Sequence, residues 1–343
     1  MKYLFLPLSL LLATATIAQE NAKQQNNKLF LQETMNYAPL GYVSPPFCDV
    51  GNPKKAYILS ADMQPRFVIG GQGWRFPIHL TPRYKVRIFR DNLEAGDSSL
   101  PVRTPSFMPG GTVFFKTGKL LDRSRRSLPY YSLSVFHHSN GQDGPEFSSN
   151  GNINVYNGNF STNYIEPAVH FRYRNFTDPD KIDHSRCSDE IIAYQDYYVR
   201  LGYEHHWGTA KDLNSTYGNY RINVDFTYLL AKVYCLTANE IPSESYYRER
   251  HRVNISATCI MGNREGELNN MNRRINFSAN YNWRLPGSPN TCLFIGGGYY
   301  GSDTYNIYYQ QNYWYANAGL SFGFLVTPKM IDLLSPRPGK RKA

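Results

Sequence analysis

Beyond its N-terminal stretch, MKYLFLPLSLLLATATIAQ, the sequence lacks any run approaching the ~18 consecutive apolar residues of a membrane-spanning helix. A bundle of transmembrane helices is therefore excluded. The sequence also has no Cys-x-x-Cys pair. Its five cysteines (Cys48, Cys187, Cys235, Cys259 and Cys292) are an odd number, which argues against a metal cluster and leaves one or two disulfides open. No concentrated basic face is present either. The formal charge of +10 is spread along the chain, apart from a PRPGKRKA tail. Attraction to anionic headgroups or lipopolysaccharide explains it better than binding to nucleic acid. No clear linker divides the chain.

The first residues supply the compartment. Lys2, an apolar core from Tyr3 to Leu12 and the small-residue exit Thr16-Ile17-Ala18 form a secretory signal, with cleavage expected after Ala18. The core is too short for a membrane anchor. Mean hydropathy is negative. Yet 28 Tyr stand beside 19 Phe and 4 Trp, so the predominant aromatic is the amphipathic one, as in the interfacial girdles of bacterial outer-membrane barrels.

Period-2 alternation carries the fold. In RRINFSANYNWRL the odd positions are Ile275, Phe277, Ala279, Tyr281, Trp283 and Leu285. The even ones are Arg274, Asn276, Ser278, Asn280, Asn282 and Arg284. One face suits lipid and the other a polar lumen. Tyr197, Val199, Leu201 and Tyr203 separate from Asp196, Arg200 and Glu204 in the same way, and the split returns in 253–261 and 314–326. Turn-rich TDPDKIDH, NREGELNN and LPGSPN divide the runs. Candidates from about residue 64 onward give eleven or twelve strands, and even numbers are favoured. The expected fold is all-β, a transmembrane antiparallel β-barrel of twelve strands. The expected divisions are a signal peptide over 1–18, an irregular segment over 19–62, the barrel over 63–327 and a basic tail over 328–343.

The stretch YYSLSVFHHSNG carries the chemistry. Tyr131, Leu133, Val135, His137 and Ser139 share the lipid-facing parity, whereas Ser132, Ser134, Phe136 and His138 face the lumen. Two residues apart on a strand, the His137 and Ser139 side chains point the same way. That is the relation of a general base to a serine nucleophile. From spacing alone, a plain strand end stays open beside it.

The surroundings resemble one family. His137-His138-Ser139-Asn140-Gly141, followed by Gln142-Asp143, resembles the His-x-Ser-Asn-Gly strand end and acidic loop of outer membrane phospholipase A. Upstream, Ser98-Ser99-Leu100-Pro101-Val102-Arg103 resembles that family's Ser-Ser-Pro-x-Arg segment, with Leu100 as one extra residue. The resemblance implies a twelve-stranded barrel with a Ser-His-Asn triad on its lipid-facing wall, hydrolysing phospholipid acyl esters in the outer membrane, dependent on calcium and active as a homodimer. It makes His137 the base and Ser139 the nucleophile.

For the orienting Asn, Asn150 and Asn152 compete with Asn163. Asn163 shares parity with Ile165, Val169 and Phe171, so it faces lipid on the next strand, and Ser161-Thr162-Asn163 resembles the family's Ser-x-Asn opening there. Asn163 is the choice. The resemblance implies calcium ligands Asp143, Ser148 and the Gln142 carbonyl, with Ser99 supplied from a partner subunit and Glu146 in reserve.

Other signals are set aside. Gly319-Leu320-Ser321-Phe322-Gly323 matches Gly-x-Ser-x-Gly but sits within a strand, without the sharp turn into a helix that a nucleophile elbow requires. His205-His206 reads as an interface pair. Two rivals to the phospholipase reading remain: a non-enzymatic barrel, such as a porin or assembly factor, and a lipid A deacylase working without calcium.

Overall fold

The alternating segments become long antiparallel strands. The structure is a computed structural model. It describes residues 33–45, 49–50, 57–69, 74–89, 105–117, 127–141, 160–176, 191–209, 215–234, 246–285 and 291–323, with isolated positions within 19–31 and 145–151 and at 213. Twelve strands pair with their sequence neighbours and close into an antiparallel barrel. They are β1 (Gly41–Ser44, resuming at Asp49–Val50), β2 (Tyr57–Met63 and Phe67–Ile69), β3 (Ile78–Leu80 and Arg83–Phe89) and β4 (Ser106–Met108 and Gly110–Lys116). Next come β5 (Ser127–Asn140), β6 (Ser161–Phe176), β7 (Ile191–Trp207) and β8 (Tyr220–Tyr234). The last four are β9 (Tyr246–Met261), β10 (Ile275–Arg284), β11 (Thr291–Tyr300) and β12 (Tyr313–Phe322). Closure is the pairing of β12 with β1, Gly41 opposite Phe322 and Val43 opposite Leu320.

The strand count agrees with the sequence expectation, but the starting point does not. Residues 19–62, expected to be irregular, contribute β1 and most of β2. The reason is local. Each of the first four strands is interrupted where a proline stands (Pro45, Pro65, Pro82 and Pro109), because proline has no N–H to give the ladder. The alternation is cut into pieces too short to read. The expected signal peptide (1–18) and tail (328–343), together with Cys48, Cys187 and Cys235, lie outside the described residues. Cys259 and Cys292 are thiols.

The two faces differ as the pattern requires. Every strand from β5 to β12 exposes large apolar side chains outward, among them Val135, Phe171, Leu201, Ile222, Ile255, Phe277, Ile295 and Leu320. Aromatics ring both ends: Trp207, Tyr220 and Trp314 at one, Tyr173, Trp283 and Phe322 at the other. A Leu or Phe left in water forfeits about 1.5–3 kcal/mol relative to burial, so such a wall selects lipid as its solvent. No described helix is long and apolar enough to cross a membrane. The strands make the crossing, and the chain is an outer-membrane barrel protein.

Buried side-chain clusters stand near both ends of the lumen. At the end where the chain enters the wall, a helical turn at residues 33–36 sits inside. Phe30 and Tyr37 join Phe114, Leu128, Tyr130 and Tyr198 in one buried cluster. Tyr37 stacks on Tyr198 at 4.4 Å and donates to Asp196 at 2.5 Å. Buried Arg252 donates to the carbonyls of Asn36 and Ala38 at 2.6 and 2.9 Å. At the opposite end Phe160, Leu213, Tyr217, Leu268 and Tyr309, from four separate connections, form a second buried cluster. Arg264 clasps these connections by donating to Thr216 O, Arg273 O and Ser302 Oγ at 2.9, 2.6 and 3.0 Å. Burial, with Arg221 and Arg274 nearby, pushes its guanidinium down to about 10, so it stays charged at neutral pH. Between the clusters is a cavity of about 540 Å³. Ion pairs line it, Asp62–Arg83 at 2.5 Å and Glu166–Arg200 at 2.8 Å among them.

Candidate active site

Strand β5 ends at the clustered loops, beside β4 on one side and β6 on the other. Its terminal residues are paired twice: Ser139 lies opposite Phe107 of β4 and Ser161 of β6, and His137 lies opposite Asn163 of β6. Directly opposed residues bring their Cβ atoms to about 4.5–5.5 Å, close enough for side chains to bond. Here they do. His137 Nδ1 and Asn163 Oδ1 are 2.9 Å apart. A carboxamide oxygen only accepts, so Nδ1 carries the proton and Nε2 is left as the basic nitrogen.

Ser139 occupies the same outward face, two residues beyond His137, and all three side chains are half-buried. Among the described residues no hydrogen bond joins the Ser139 hydroxyl to His137. Without substrate, such bonds are commonly long and tighten only in the reacting complex. The neighbourhood is apolar and open to lipid: Phe107, Val135 and Trp207 are exposed around the group. Of the three Asn candidates, Asn163 is the one seen against His137; Asn150 and Asn152 lie outside the described residues.

The lumenal faces of the same strands carry different chemistry. His138 is buried against the Ser106 hydroxyl and has no path to lipid. The pair His205-His206, expected at an interface, is split by the pleat. His205 packs on Tyr220, with ring centroids 5.0 Å apart, while His206 is buried between Glu204 and Thr162. Its Nδ1 is 3.1 Å from Thr162 Oγ1. Ser321 donates to Asn282 Oδ1 at 2.6 Å inside the lumen, which removes the Gly-x-Ser-x-Gly match from consideration. The alternation of β7 puts Glu204 in the lumen and Trp207 outward, but it does not reveal that Thr162 and Glu204 both meet His206.

The residues implied as calcium ligands (Ser99, Gln142, Asp143 and Ser148, with Glu146 in reserve) lie outside the described residues. Among the described residues no three His, Cys, Asp or Glu side chains gather in a metal-binding cluster. One observation bears on the fit. Asn140, 7% exposed, donates to Pro105 O at 3.5 Å, while its own buried Oδ1 has no partner among the described residues. This oxygen has the lumenal parity of His138 rather than the outward parity of Ser139.

The sequence matches no protein-family model and no curated protein. In structure the chain is similar to outer membrane phospholipase A from Escherichia coli, at 11% identity over 83% of this chain and 97% of that one, with a TM-score of 0.48. It is similar to the Salmonella typhi outer membrane phospholipase dimer with bound calcium, at 11% identity over 88% and 98%, with a TM-score of 0.49. It is also similar to the NanC porin, at 10% identity over 83% and 100%, with a TM-score of 0.34.

Proposed function

We propose that the chain is an outer-membrane phospholipase A, a carboxylic ester hydrolase that acts on phospholipids from its lipid-facing wall. The observation that carries this reading is the 2.9 Å contact between His137 Nδ1 and Asn163 Oδ1, on the same face as Ser139. In this reading Ser139 Oγ attacks the acyl carbonyl carbon while its proton passes to His137 Nε2. As the tetrahedral intermediate collapses, that proton goes to the departing lysophospholipid oxygen. Water, deprotonated by the same nitrogen, then releases the fatty acid. Asn163 fixes the ring throughout. As a neutral group it does so without placing a carboxylate against lipid, where charge is costly.

Calcium would be held by Asp143, Ser148, the Gln142 carbonyl and a partner's Ser99. When bound it would lend positive charge to the developing oxyanion near Gly141. A homodimer belongs to the same proposal.

The buried side-chain clusters near both ends of the lumen favour a wall function over a pore. A lipid-like sulfonyl fluoride should attach to Ser139, as read by peptide mapping. Labelling elsewhere, or none in the folded barrel, would remove the serine from the mechanism.

A further inference from the structure

A carboxamide can turn about its last torsion, and a half-turn of Asn163 would present Nδ2 to the protonated Nδ1 of His137, donor against donor. The geometry points to Gly208 as a position that must lack a side chain for Asn163 to keep its productive orientation; this rests on the phospholipase reading. Asn163 stands opposite Trp207, the last residue of β7, and the chain turns at Gly208 with φ of +67°. A Cβ on Gly208 would fall 3.0 Å from Asn163 Nδ2. Asn163 therefore has its oxygen on His137 and its nitrogen where a Cβ at position 208 would crowd it.

The corner cannot easily retreat. On the lumenal side of the same row, Thr162 Oγ1 meets His206 Nδ1 at 3.1 Å and reaches Trp207 O at 3.5 Å. His206 is itself held by Glu204. This ties the start of β6 to the end of β7, so a Cβ at position 208 would have to move the amide rather than the turn. Gly266 supplies the matched control. It too has positive φ, +57°, but a Cβ there meets nothing within 4 Å, so Gly266→Ala carries the backbone strain without the contact.

The test uses the refolded full chain with saturating calcium, in four variants: Gly208→Ala, Gly266→Ala, Asn163→Ala and the double variant Gly208→Ala/Asn163→Ala. Phospholipid hydrolysis is measured together with the His137 Nδ1–H resonance by NMR. A 1 Å misplacement can cost roughly 10²-fold, and relieving this contact moves the amide by a few tenths of an ångström, so Gly208→Ala should lower kcat by about 3- to 5-fold with KM little changed. It should cost nothing further in the Asn163→Ala background, and it should shift the Nδ1–H resonance as Asn163→Ala does. Gly266→Ala should do none of this. If Gly208→Ala does not fold, Gly208→Asn brings the same Cβ on a residue that tolerates this backbone. An unshifted resonance, or an equal loss in the Asn163→Ala background, would overturn the inference. A wild-type chain that hydrolyses no phospholipid would sink the phospholipase reading, and the resonance would still decide whether a Cβ at position 208 displaces Asn163.

Discussion

Replacing Asn163 with Ala removes the acceptor from His137 Nδ1 and leaves the β5–β6 backbone ladder untouched. In the resting protein the lost bond is an ordinary half-buried one, worth about 0.5–1.5 kcal/mol, so the barrel should stay folded. In the transition state the ring becomes an imidazolium, and a hydrogen bond to a charged group is worth about 1.5–3 kcal/mol. Only the difference between the two, about 1–1.5 kcal/mol, enters kcat, and at about 1.4 kcal/mol per decade that is a fall of roughly tenfold. Binding of the acyl chains along the wall does not involve Asn163, so KM should move by less than about threefold. The assay is initial-rate hydrolysis of a fluorogenic phospholipid in mixed micelles with calcium, after heat-modifiable gel mobility has verified the fold. An Asn163→Ala protein within twofold of wild type would refute the idea that this contact orients the base. A protein that no longer folds would show instead that the pair is structural.

Further outcomes concern the wall and its interior. Leu201→Arg, on the lipid face of β7, should destabilise the barrel by about 2–4 kcal/mol, read as a lower urea midpoint on folding into vesicles. Asp303→Ala removes the carboxylate that Arg87 grips at 2.6 and 2.8 Å in a buried site, and should cost about 3–5 kcal/mol in the same assay. In planar bilayers the wild-type protein should carry no steady conductance, because buried side-chain clusters stand near both ends of the lumen. Stable open-channel steps would favour a pore.

What could be read from the sequence follows from where period-2 order is uninterrupted. From β5 to β12 the strands are long and proline is nearly absent, so parity alone separates Leu201 from Arg200 and Phe277 from Ser278. It also sets His137, Ser139 and Asn163 on one face. Pro167 lies within β6 without breaking its pairing to β5. The first four strands resist the same reading, because prolines divide them and the second halves resume after gaps of varied length. Contacts made across strands were equally hidden. Nothing local in GYEHHWG indicates that His206 turns inward to Thr162, or that a Cβ at position 208 would crowd Asn163. Those relations depend on register, which the β6–β7 pairing fixes and a single strand's pattern does not.

The most direct measurement is phospholipid hydrolysis by the refolded wild-type protein, with calcium and then with excess chelator, beside Ser139→Ala. Release of fatty acid that requires both calcium and Ser139 is the expected result. A folded, calcium-supplied barrel whose hydrolysis persists in Ser139→Ala, or which releases no fatty acid at all, would contradict the proposed function. Hydrolysis that needs Ser139 but ignores the chelator would instead favour a calcium-independent deacylase.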